Sequence, residues 1–267
     1  MIIPGGGPQK RDTLQSWWWV YNGFTVLTYD KRGTGMSTGD YKQARITDLA
    51  ADALAAVTLL KGEPSIDKDQ VGIVGISEAG LTAPVVAANS SAVAFVVVSS
   101  APGYTMPHQV VHEVAATLQC EGFSDEDVTR AKALRISLNE AVLKNGPWIQ
   151  LARDIQSAET EKWFRGARVA PGWKSPFAAM IETNRRYLDF DPAKYWRQVK
   201  VPVLVVYGEL DTQVAVKESQ LIINRALTEA QNRDHTVLVF PKANHILLEA
   251  DRGCPDESPR YRATLIL

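Results

Sequence analysis

Short apolar runs rich in Val, Ile and Leu recur in the first and last thirds of the chain, each stopped by turn-forming residues. Met1–Pro4, Phe24–Tyr29, Val71–Val74, Ala94–Val98, Val201–Tyr207 and His235–Phe240 read as strands. Apolar residues at helical spacing fill the stretches between them: Asp12–Tyr21, the Ala-rich Ile46–Leu60, Leu81–Ala88 and Gln213–Leu227. Strands that alternate with helices predict a parallel α/β sheet covered by helices.

From about Pro107 to Trp196 the pattern changes, and no run reads as a strand. Ser124-Asp125-Glu126-Asp127 is a helix start related to the capping box, with Asp in place of Glu, and predicts a long amphipathic helix to about Lys144. Further helices are predicted over Trp148–Ser157 and Pro176–Tyr187. The pattern therefore divides the chain into an α/β core, 1–100 and 201–267, and a helical insertion, 101–200.

The strand ends carry the candidate chemistry. The run through Val74 leads into Gly75-Ile76-Ser77-Glu78-Ala79-Gly80 and then a helix. This is the G-x-S-x-G layout of a nucleophile elbow, with Ala79 in place of the last glycine. A serine at the apex of such a turn is lifted clear of the sheet, and the N–H groups after it stabilise negative charge at a helix N-terminus. A nucleophilic serine needs a base, and the base an orienting acid. Tyr207-Gly208-Glu209-Leu210-Asp211 and Asn244-His245 each follow a strand, in the order serine, acid, histidine. Glu209 and Asp30 are rival carboxylates, although Arg32 beside Asp30 suggests a structural pair or turn; His235 is the rival histidine. The alternative for Ser77 is a turn serine that caps a helix. An oxyanion hole needs two aimed donors. The N–H of Glu78 is one candidate, and the N–H of Gly7 the other, with Gly6 as its alternative.

These motifs, together with Gly5-Gly6-Gly7-Pro8-Gln9 and Tyr29-Asp30-Lys31-Arg32-Gly33-Thr34-Gly35-Met36-Ser37, make the chain resemble the α/β-hydrolase superfamily. Within it the resemblance is to bacterial serine esterases of the prolyl-oligopeptidase and dienelactone-hydrolase branch, and it covers all but the helical insertion. It implies Ser77 as nucleophile, His245 as general base, Asp211 as acid, a small-molecule ester substrate, no cofactor, and an insertion acting as a cap. Superfamily members usually carry strands before the one at Met1 and a helix after the histidine loop. The chain thus reads as a short form or a piece of a longer parent.

Composition narrows the remaining classes. A net charge of -1 offers no basic patch for nucleic acid. His108 and His112 are four apart but lack an H-E-x-x-H context, so no metal site is expected. Cys120 and Cys254 make no metal-ligand spacing, and nothing calls for a bond between them. No apolar run approaches the ~20 residues of a membrane span. No signal peptide stands at the start, which favours a cytoplasmic location unless a longer parent carried a leader since removed. Trp17-Trp18-Trp19 reads as core or cap packing, with substrate stacking as the alternative. Without preceding strands, Thr25–Tyr29 becomes a flat apolar sheet edge, which predicts a homodimer or larger assembly covering it.

Overall fold

The computed structural model describes residues 1–11, 14–169 and 187–260. Strands β1 (Ile2–Ile3), β2 (Ile73–Ile76), β3 (Val96–Ser99), β4 (Val203–Gly208) and β5 (His235–Phe240) form one parallel sheet in the order β1-β2-β3-β4-β5. Helices α1 (Leu14–Tyr21), α2 (Ile46–Gly62) and α3 (Ala79–Asn89) lie in the first half. Between β3 and β4 come α4 (Met106–Cys120), α5 (Asp125–Lys144), α6 (Trp148–Ala158) and α7 (Pro192–Trp196), and α8 (Val216–Glu229) joins β4 to β5. Consecutive strands run parallel because each connection crosses back over the sheet through helical segments.

Two groups of buried side chains hold these elements. Ile3, Ile73, Val96, Val98 and Val205 pack with Val57, Leu81, Val86, Ile223 and Leu227 around the sheet. A second cluster, including Val114, Leu118, Leu138, Ile155, Trp163 and Phe164, draws only on residues between β3 and β4. Full burial of each such side chain contributes about 1.5–3 kcal/mol. Ser124 Oγ accepts from Asp127 N and opens α5, where Asp125, Glu126 and Asp127 complement the helix dipole. Helix α4 was not singled out by the sequence, though Val110, Val114 and Leu118 already carry its spacing.

Several expectations change. Phe24–Tyr29 forms no strand. Leu27 C=O accepts from Ile2 N at 3.0 Å, but the two-residue β1 is too short to extend that bond into a ladder. Trp17 is 74% exposed, so it is not a core residue; Trp19 packs edge-on against Phe24. The predicted helix from Pro176 falls largely outside the described residues. Cys120, at the end of α4, is bonded to Cys254, with a Cα–Cα distance of 5.6 Å across 134 residues of chain. Closing so long a loop removes about 4–5 kcal/mol of unfolded-state entropy in the chain-entropy account. Such bonds are rare in the reducing cytosol, which weighs against the cytoplasmic expectation. Among the described residues no helix is long and apolar enough to cross a membrane.

Candidate active site

The elbow is built by close approach. Ser77 leaves β2 with a left-handed φ of 57°, and its N–H donates to Ser99 O on β3 at 2.9 Å. A Cβ on Gly75 would lie 2.3 Å from the Cβ of Ala79. Only one of these two positions can therefore carry a methyl group, which accounts for the tolerated Ala79. Glu78 N–H belongs to the first turn of α3, where the helix itself supplies no acceptor.

The histidine arrives on a tight loop beyond β5. Asn244 Oδ1 accepts from Ile246 N and Leu248 N, while Asn244 N donates to Leu248 O. Ser100 Oγ, at the end of β3, donates to His245 O at 2.7 Å and fixes the backbone there. The loop crosses directly over the end of β4, where a Cβ on Gly208 would meet Asn244 O at 2.3 Å. His245 Nδ1 lies 3.0 and 2.9 Å from the two carboxylate oxygens of Asp211. Asp211 Oδ1 also accepts from Gln213 N at 2.8 Å and Val214 N at 3.0 Å, so the buried carboxylate is fixed from the backbone. Asp211 can hold one tautomer of His245, which leaves Nε2 as an acceptor.

Ser77 and His245 line one cavity of about 390 Å³, together with Gly5, Gly6, Gln109 and Glu113. No hydrogen bond joins their side chains in this structure; such contacts tighten when substrate arrives. The arrangement can activate a hydroxyl against a carbonyl carbon. Over residues 6–246, from the glycine loop through the histidine loop, the chain matches the X-Pro dipeptidyl-peptidase (S15) family. The chain belongs to that family.

The S15 chain is also 32% identical, over 113 residues, to the rat (Rattus norvegicus) acylamino-acid-releasing enzyme. That match takes in 42% of the chain and 15% of the enzyme, so the chain spans a minor part of that relative's length. An esterase of Pyrococcus furiosus superposes with a TM-score of 0.54 at 18% identity, covering 92% of this chain and 73% of that one. An α/β hydrolase from Penicillium sp. sh18 gives 0.56 at 19% identity, covering 92% and 81%. These likenesses establish the fold, and with the family they place the chain in the α/β-hydrolase superfamily.

The rival residues of this S15 chain lie elsewhere. Glu209 is exposed and accepts from Lys242 N. His235, at the opposite end of its parallel strand, bonds Asn232 O and Asn224 Oδ1. Asp30 accepts from the backbone N–H groups of Met36 and Arg11, which hold its carboxyl below the usual range, with the Arg11 guanidinium adding to them. Arg32 does not pair with Asp30; it forks onto Asp52 with both bonds at 2.7 Å. The two candidates for the second oxyanion donor differ in their contacts. The Gly7 N–H donates to Tyr41 OH at 3.0 Å, whereas Gly6 lines the cavity. Sequence reasoning missed Ser100, Asn244, Lys31 and Tyr41. Asn244 stood beside the histidine, but nothing local linked Lys31 or Tyr41 to the elbow.

Proposed function

We propose that the chain hydrolyses carboxylic esters through an acyl-enzyme. The observation that carries this reading is the Asp211–His245 pair, whose histidine lines the same cavity as Ser77. Ser77 Oγ attacks the carbonyl carbon while His245 Nε2 takes its proton. The tetrahedral oxyanion lies against Glu78 N–H. Its collapse expels the alcohol, protonated by His245, and leaves Ser77 acylated. Water, deprotonated by His245, then attacks the acyl carbon and releases the acid. No step requires a cofactor. An activity-based fluorophosphonate probe tests the reading. Ser77 should be labelled, and p-nitrophenyl esters should compete. An unlabelled folded protein would defeat it.

A peptidase reading on the same residues has one observation in its favour besides the family. Glu113, on α4, puts a carboxylate on the cavity wall. Its Oε1 accepts from Gln109 Nε2 at 3.0 Å and its Oε2 from Arg168. Each oxygen keeps acceptor capacity for a protonated amine. Glu113→Gln is expected to lower kcat/KM for an aminoacyl ester or anilide by about 10–100-fold, the worth of one charged hydrogen bond, and to spare an acetyl ester. Equal effects on both would mean that Glu113 does not read the amine. In either reading the helices between β3 and β4 act as a cap that selects the acyl group.

The expected sheet edge at 24–29 is not formed, so as part of the same proposal a homodimer pairs instead through exposed apolar side chains at Phe24 and on α1. Phe24 is exposed, as are Trp17 and Tyr21 of α1. Light scattering across a concentration series should give a mass above the monomer for the native chain, and Val26→Lys should return it to one. A native chain that stays monomeric at high concentration would overturn this.

A further inference from the structure

The residue after the nucleophile is held by a buried polar ring that plays no part in the proton transfers above. Lys31 is 2% exposed and Glu78 8%. Lys31 Nζ donates to Glu78 Oε1 at 2.6 Å and also to Gly5 O. Tyr41 OH donates to Glu78 Oε2 at 2.6 Å and accepts from Gly7 N. Lys31 Nζ lies 4.9 Å from the centre of the Tyr41 ring. Burial, with the Glu78 charge, pushes the Tyr41 phenol well up, so it stays a neutral donor. The ring thus ties the glycine loop to the elbow on both sides of Gly6.

Peptide planarity gives this ring a direction. Gly5 C=O and Gly6 N–H belong to one trans peptide unit, in which they point opposite ways. With Gly5 C=O drawn onto Lys31, the Gly6 N–H is turned away from Lys31. It meets no acceptor among the described residues, and Gly6 lines the cavity. Gly7 cannot substitute, because Tyr41 takes its N–H.

We propose that Lys31 is a positioning residue, braced by Glu78 and Tyr41, that aims the N–H of Gly6 as the second oxyanion donor opposite the N–H of Glu78. This rests on the serine-hydrolase reading. Lys31 never touches substrate; it acts through the Gly5–Gly6 peptide. Its contribution therefore falls on the tetrahedral state and not on the bound ester.

Lys31→Met alone would leave a buried Glu78 charge without its partner and threatens the fold. The test therefore uses the double variant Lys31→Met/Glu78→Gln, which removes both charges, and Tyr41→Phe, which removes one hydroxyl. Each is assayed on p-nitrophenyl acetate, with inhibition by phenylboronic acid, which forms a tetrahedral adduct, and thermal melting alongside. For the double variant kcat should fall by about 10²–10³, the cost of one lost oxyanion donor. Boronate affinity should weaken in parallel, with KM within a few-fold. Tyr41→Phe should lose about tenfold, one hydrogen bond's worth, with the same split. Native kcat and boronate affinity in Tyr41→Phe, or a loss in which KM and melting move together with kcat, would overturn the proposal. Failure of the native chain to react with fluorophosphonate is a separate result, since it would defeat the hydrolase reading itself.

Discussion

Ser77→Ala is expected to fold normally and to turn over p-nitrophenyl acetate about 10⁶-fold more slowly than the native chain, with the residual set by the donors around the oxyanion. The Ser77 hydroxyl makes no hydrogen bond to another described residue, so its removal orphans no partner. Its left-handed φ of 57° costs Ala as much as Ser. Ser77→Gly separates the two roles of the position. It should raise stability by about 1 kcal/mol by relieving the backbone strain, and abolish turnover equally. Single-turnover kinetics and thermal melting on the same preparations check both outcomes. A folded Ala variant with the native rate would remove Ser77 from the mechanism.

Asp211→Asn carries the second-largest effect, about 10⁴ in kcat. The backbone dictates how the new amide must sit. Asp211 Oδ1 receives the N–H groups of Gln213 and Val214, so the Asn carbonyl oxygen stays there. The amide nitrogen then replaces Oδ2, the oxygen 2.9 Å from His245 Nδ1. An N–H now faces Nδ1, and the imidazole must carry its proton on Nε2. In that tautomer it cannot accept the proton of Ser77. Among the described residues the Glu209 carboxylate serves Lys242 N alone, in the exposed loop, so Glu209→Gln should leave kcat nearly unchanged. Steady-state kinetics of the two variants on one ester decide the matter. A larger loss in Glu209→Gln would transfer the acid role to Glu209.

What the sequence by itself determined was local. Apolar runs marked β2 to β4 because strands covered on both faces must be apolar at nearly every position, whereas β5 kept an apolar run at the sheet edge although half of its side chains are exposed. The elbow was legible because Gly75-Ile76-Ser77 stands between an apolar run and a helix and is followed, after later strands, by a carboxylate and a histidine. The order serine, acid, histidine followed from where parallel strands end. Ser124 marked the start of α5 through its cap, which spans only three residues. Phe24–Tyr29 had the composition of a strand, but strand formation depends on a neighbour's hydrogen bonds, and β1 supplies one.

Only the tertiary structure decided how residues far apart in the chain pair. Asp30 and Arg32, two positions apart in the motif, look instead to Arg11 and Asp52. Cys120 and Cys254 meet across 134 residues, and Lys31 reaches Glu78 across 47. Gly7 gave up its N–H to Tyr41, 34 residues away. Hydrophobic periodicity reports which face of an element is buried, but not which polar group waits opposite it. Buried charges and N–H groups must find partners wherever the packed chain places them. The candidate nucleophile and base could be read from their own strand ends, while the alignment of the groups around them is a property of the assembled sheet.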